Sequence, residues 1–158
     1  MVALKVHLPD ERATLALGAA LAGALAPGLV IYFRGELGAG KTTVIRGLIR
    51  ALGWQGVVRS PTYALVEVYA VSRLDLHHFD FYRFHDPREW IDAGFRESFN
   101  GRTVSLIEWP ERAGGLLPPA DVEIDLELLA AGRNAVLTSS SLAGQRCLAL
   151  VEERWPGS

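Results

Sequence analysis

Cysteine is almost missing from this chain: Cys147 is the only one. No internal disulfide can form, so a fold stapled by bridges is excluded, and the chain suits a reducing compartment such as the cytoplasm. A long apolar run is missing too. The richest early stretch, residues 15–30, is interrupted by Gly18, Gly23, Pro27 and Gly28 and is too short to span a bilayer, so no membrane partner is expected. Met1–Asp10 carries no apolar run behind basic residues, which argues against a secretory leader. Charge of one sign is also scarce. Sixteen Lys and Arg face 18 Asp and Glu, for a net charge of −2. That balance argues against charge-driven binding to DNA, while leaving open a role near RNA that works through a protein. Repeats, linkers and low-complexity segments are absent. At 158 residues, with 49% apolar and 22% charged side chains, the chain reads as a single domain over 1–158, with a frayed tail from about 155.

The pattern along the chain alternates between strand and helix. Ala3–Leu8 alternates like a short strand, and Asp10 is placed to cap a helix from Glu11 to about Leu25, with Thr14, Leu17, Gly18, Leu21 and Ala22 on its packing stripe. Leu29–Phe33 is a continuous apolar run, as expected of a strand buried on both faces. A glycine-rich loop and a helix from Lys41 to about Leu52 follow. Val57–Pro61 reads as a strand entering a turn. Tyr63–Val71 and Leu74–Phe81, separated by Ser72-Arg73, suggest an antiparallel pair. A short helix is expected near Arg88–Ile91 and a helical turn at Gly94–Phe99. Thr103–Ile107 is a second buried strand, and Leu116–Ala120 a proline loop. Val122–Leu128 and Asn134–Thr138 read as a hairpin around Ala131-Gly132, and Ser140 as the cap of a last helix reaching Arg154. The fold class is α/β: a P-loop three-layer arrangement with a central mixed sheet flanked by helices.

Gly35-Glu36-Leu37-Gly38-Ala39-Gly40-Lys41-Thr42 matches G-x-x-x-x-G-K-[S/T], between an apolar strand and a helix. Gly38 and Gly40 let the backbone take positive φ and approach phosphate oxygens. The N–H groups of Gly38, Ala39, Gly40, Lys41, Thr42 and Thr43 then form an anion nest at a helix N-terminus. Lys41 supplies a point charge for the β- and γ-phosphates, and the Thr42 hydroxyl is a hard ligand for Mg²⁺. A nucleoside triphosphate with Mg²⁺ is the expected cofactor. Chemistry of this kind also needs an acid beyond the metal, at a strand end. Glu108 closes the cleaner buried strand and Asp80 a less apolar one, and either could instead sit in a structural ion pair. Asp75 lies earlier and reads as solvent-facing. Ser60-Pro61-Thr62-Tyr63 is placed to sense γ-phosphate as a switch loop, and reads equally as a plain proline turn. His77 and His78 point to opposite strand faces, so they cannot readily share a metal and read as ordinary strand histidines. Cys147 reads as buried and inert, and Trp54, Trp90 and Trp155 as packing or surface residues. Arg83 and Arg133 could each meet phosphate charge, Arg83 equally a salt bridge.

Together these segments resemble the bacterial TsaE (YjeE) family. The resemblance runs from about Leu8 to Thr138 and rests on Leu37-Gly38-Ala39-Gly40-Lys41-Thr42-Thr43, Ser60-Pro61-Thr62-Tyr63, His78-Phe79-Asp80-Phe81-Tyr82-Arg83, Ile107-Glu108-Trp109-Pro110 and Gly132-Arg133, in that order. It implies a weak Mg²⁺-dependent ATPase of tRNA threonylcarbamoyladenosine biosynthesis, partnered by TsaD and TsaB and reaching tRNA only through them. It also implies Lys41, Asp80 and Glu108 as catalytic, Thr42 and Glu108 at Mg²⁺, Trp109 as a wall of the site, and Glu111 and Arg133 near the nucleotide. Asp10 and Thr14 would approach the base or ribose. Departures are small: Glu36 stands where the family usually has aspartate, residues 72–76 differ in a segment the family varies, and no firm match follows Ser141. Competing readings are a small-molecule kinase, although no arginine-rich lid stands out, and a nucleotide switch without essential hydrolysis. No Asn-Lys-x-Asp segment occurs, which argues against guanine recognition.

Overall fold

The alternation at the start of the chain becomes strand β1 (Val2–Leu8), with Val6 and Leu8 turned inward and Lys5 and His7 exposed. This is a computed structural model describing residues 2–86, 88–89 and 94–155. Asp10 caps α1 (Glu11–Ala22), its Oδ1 accepting from the Ala13 N–H at 2.8 Å. The helix stops three residues short of Leu25. Gly23 caps it, and the Ala24 N–H closes a tight turn onto the Leu21 carbonyl. Strand β2 (Val30–Arg34) leads into the P-loop and α2 (Lys41–Ala51). Strands β3 (Val66–Val71) and β4 (Leu74–Asp80) form the expected hairpin. A 3-10 turn (Phe95–Ser98), β5 (Val104–Glu108) and a 3-10 segment (Pro110–Leu116) follow. The chain then makes the hairpin β6 (Val122–Leu128) and β7 (Arg133–Ser139), and ends in α3 (Leu142–Arg154). The expected helix near Arg88–Ile91 and the tail after Trp155 lie wholly or partly outside the described residues.

Two local expectations are corrected. Val57–Pro61 forms no strand. The Val57 carbonyl is taken by the Trp54 indole and the Arg59 backbone by the Tyr69 hydroxyl, so side chains and not a neighbouring strand meet this backbone there. The α3 cap is Ser141, not Ser140. Its Oγ accepts from the Gly144 N–H at 2.9 Å and donates to Asp121 at 2.8 Å.

All seven strands join one sheet in the order β1-β7-β6-β2-β5-β4-β3. The β6–β2, β2–β5 and β5–β4 pairs are parallel, and the outer pairs are antiparallel. Helices α1, α2 and α3 pack on one face over a core that includes Leu17, Leu21, Ile31, Phe33, Val44, Leu48, Leu106, Leu137 and Leu148. The opposite face of β2, β5 and β4 is closed by Phe79, Phe81, Phe84, Ile107 and Ala113, with Phe95 and Phe99 against them. Short 3-10 segments and loops build that layer. Helices α1 and α2 cross closely because Gly18 lies against the Val44 carbonyl and Gly47 against the Leu15 carbonyl, where a Cβ would not fit. This crossing fixes the base of α2, and with it the loop that α2 begins.

Candidate functional site: a phosphate cradle beside two buried acids

Parallel pairing decides what meets the P-loop. Strands β2, β5 and β4 lie side by side and all end at the same edge, so the residues closing β4 and β5 fall in register: Asp80 opposite Glu108. The loop leaving β2 opens onto that edge, where ligands bind in α/β sheets. Gly35, Gly38 and Gly40 all have positive φ, and Gly40 is the left-handed cap of α2. A side chain at Gly40 would strike Arg133, while the space at Gly38 is open. The loop is therefore a concave backbone surface at a helix N-terminus, suited to an anion.

The functional side chains converge around it. The Thr42 hydroxyl donates to the Glu108 carboxylate, 3.0 Å from one oxygen and 3.1 Å from the other. Glu108 is 3% exposed. Lys41 donates to the carbonyls of Gly35 and Glu36, the latter at 3.0 Å, and its ammonium lies 4.2 Å from the Trp109 ring centroid. Burial holds the Lys41 pKa below its ordinary value, opposed by the charges of Glu108, Glu111 and Asp80. Asp80 is 7% exposed. Its Oδ1 accepts from the Tyr82 N–H at 2.9 Å and its Oδ2 from the Thr62 hydroxyl at 3.4 Å. Burial is the largest cause raising its pKa, with Glu108 adding to the rise and the Tyr82 N–H, His78 and Thr62 opposing it. The Ser60 and Thr62 hydroxyls are 2.8 Å apart, so the proline segment reaches Asp80 through one hydrogen bond. Trp109 adopts a left-handed backbone at φ 57° and packs on Tyr82, ring centroids 4.9 Å apart.

A cleft of about 320 Å³ gathers Gly38, Gly40, Lys41, Thr42, Thr43, Ser60, Thr62, Asp80, Glu108 and Trp109. Ala39 is buried beneath the loop. Pro61 and Tyr63 do not line the cleft; Tyr63 is 82% exposed and stacks on Arg83 instead. Glu111 points to Arg34, 3.2 Å away. Asp10 serves as a helix cap. Thr14 is fully buried, its hydroxyl accepting from Arg133 at 3.1 Å, and Arg133 packs against Gly40 with a buried Nε that has no partner among the described residues. These four lie behind or beside the loop, outside the cleft. A larger hollow, about 970 Å³, lies on β1, β6 and β7 and touches the loop only at Gly35 and Glu36, away from both acids.

Mg²⁺ fits this donor set. Thr42 and Glu108 present hard oxygens at the mouth of an anion cradle, as expected of an ion completed by phosphate oxygens and water. No cluster of three His, Cys, Asp or Glu side chains converges as a metal cage among the described residues.

Two contributors escaped the sequence reading. His78 is an ordinary strand histidine by its spacing, yet its Nε2 is 2.7 Å from a Glu108 oxygen, with both side chains buried. Tyr82 supports Trp109. The signal for His78 was its two-residue offset from Asp80, which puts both on one strand face.

A mixed sheet with a parallel centre, a glycine cradle and two strand-end acids define a P-loop α/β protein. The model of the family described as "Threonylcarbamoyl adenosine biosynthesis protein TsaE" matches residues 8–135, which hold every segment above from the loop to Arg133. Curated TsaE proteins are similar over nearly the whole chain. That of Haemophilus influenzae is 38% identical, over 94% of this chain and 97% of its own length. That of Bacillus subtilis is 34% identical, over 97% and 94%. The crystal structure of Bacillus subtilis YdiB superposes with a TM-score of 0.76 at 30% identity, covering 97% of this chain and 94% of that one. The chain belongs to the TsaE family.

Proposed function

We propose that this chain is the ATP-binding and ATP-hydrolysing component of tRNA threonylcarbamoyladenosine biosynthesis, acting in the cytoplasm with TsaD and TsaB. The observation that carries the reading is the hydrogen-bonded pair of Thr42 and Glu108 at the cradle mouth, with Asp80 beside it in register. The N–H groups of Gly38–Thr43 bind the phosphates. Thr42 and Glu108 would hold Mg²⁺, which would neutralise phosphate charge. Lys41 exchanges two loop carbonyls for phosphate oxygens, and its place over Trp109 keeps it beside the cleft. Asp80 Oδ2 orients the attacking water and takes its proton, a role that burial favours by raising its pKa. Ser60 and Thr62 respond to the γ-phosphate through their bond to Asp80. Arg133, with its unpartnered buried Nε beside Gly40, reaches the nucleotide from behind the loop, next to Thr14 and Asp10. Trp109 and Glu111 border the same edge. No described helix is long and apolar enough to cross a membrane.

The test is ATP turnover with and without the TsaD–TsaB pair, on the intact chain and on Lys41→Ala. Stimulated turnover that Lys41→Ala abolishes is expected. Absence of ATP binding would overturn the reading, and binding without hydrolysis, alone or with the pair, would leave a nucleotide switch in its place.

A further inference from the structure

His78 stands where no ligand-binding role was expected. It lies mid-strand in β4, on the same face as Asp80, and is level with Leu106 of β5. Its side chain is 1% exposed and reaches diagonally to Glu108, Nε2 to Oε2 at 2.7 Å. A carboxylate accepts hydrogen bonds, so Nε2 is the donor. Nδ1 is buried without a partner among the described residues, so Nε2 makes the ring's polar contact. Glu108 therefore receives two donors from different elements, Thr42 from α2 and His78 from β4. Among the described residues Oε2 takes both, while Oε1 takes Thr42 alone and keeps acceptor capacity free. A carboxylate buried this deeply is costly without such donors, and its orientation is set by whichever of them cannot move. Thr42 is shared, because its hydroxyl oxygen would ligate a metal through a lone pair while its proton faces the carboxylate. His78, held in the sheet, serves the carboxylate alone.

We propose that His78 is the positioning residue for Glu108: its Nε2 hydrogen bond holds the carboxylate in the orientation that meets a divalent cation at Thr42. The inference rests on the metal-dependent nucleotide reading above and assigns within it a residue that touches neither nucleotide nor metal.

Hydrogen-bond geometry separates this role from simple core packing. The amide nitrogen of glutamine can take the place of Nε2, whereas that of asparagine falls near Nδ1. Manganese, reporting for magnesium, is titrated into the protein–ADP complex and followed by its paramagnetic resonance signal, for the wild type, His78→Gln, His78→Asn and His78→Leu. ADP binding in chelator and thermal melting are measured alongside. We expect His78→Leu and His78→Asn to weaken Mn²⁺ binding about tenfold, as is common when a ligand's supporting partner is lost. His78→Gln should stay within about threefold of the wild type, and ADP binding in chelator should be unchanged. If His78→Leu folds and binds Mn²⁺ as the wild type does, the proposal fails. If His78→Leu does not fold, equal Mn²⁺ affinity in the Gln and Asn variants overturns it just as firmly. A wild-type complex that takes up no Mn²⁺ at all would instead sink the nucleotide reading together with this one.

Discussion

Asp80 is a carboxylate that the fold would hold more easily without its charge. Burial raises its pKa, and the Tyr82 N–H and Thr62 hydroxyl offset only part of that. Since the folded-state value exceeds the unfolded one, the folded chain binds more protons between the two, and stability falls as pH rises through that window. The cost is fully present above the folded pKa and absent below the ordinary carboxylate value. Asp80→Asn, whose Oδ1 still accepts from the Tyr82 N–H while its amide nitrogen can donate to the Thr62 hydroxyl, should therefore melt higher than the wild type at pH 7.5, by roughly 2–4 °C for each kcal/mol relieved in a domain of this size. The gain should vanish near pH 3.5, and ATP turnover should be lost at every pH. Thermal melts across pH check this, and a constant gain would show that charge is not the cause. Cys147 behaves as its surroundings in the sequence suggested: it is buried against α3's neighbours, and burial, aided by Asp121, pushes its thiol pKa up to about 11. His78 shows the limit of reading single residues. Its spacing excluded a metal shared with His77, while its actual partner, Glu108, is 30 residues away.

Elements were legible wherever their signals were local. Asp10 before an amphipathic run, branched residues before the loop, and Ser72-Arg73 between two β-rich segments each led to the observed element. Val57–Pro61 misled because its apolar residues resemble a strand, while the side chains that take its backbone at Val57 and Arg59, Trp54 and Tyr69, come from elsewhere. Close helix packing was half legible: Gly18 fell on the packing stripe of α1, while its counterpart Gly47 drew no notice until α1 and α2 cross. Gly47→Ala places a methyl against the Leu15 carbonyl, and the backbone must give way. We expect it to destabilise the fold by about 1–3 kcal/mol despite the better helix propensity of alanine. Ala51→Gly at the exposed last residue of the same helix is expected to cost less than about 1 kcal/mol. Urea denaturation distinguishes the two, and a stabilised Gly47→Ala would refute the packing argument.

For the whole molecule, the decisive feature is a strand order that chain order does not reveal. Threading β2 between β5 and β6 sets Thr42 against Glu108, 66 residues apart in sequence. The bond between them ties the start of α2 to the end of β5, so the two substitutions should not act independently. A double-mutant cycle of Thr42→Val and Glu108→Gln in urea denaturation should give a coupling energy of about 1 kcal/mol or more. Additive effects would mean that the bond contributes nothing to the fold.

The sequence by itself determined the glycine-rich loop between strand and helix, the α/β class and the acids closing two buried strands, because each is written in contiguous residues whose conformational demands are local. Tertiary structure alone decided that Asp80 and Glu108 are neighbours, that Arg133 and Thr14 pack behind the loop, and that His78 steadies Glu108. Those relations depend on which strands pair and in what register. That choice is made by burying one shared core, not by any stretch of chain alone.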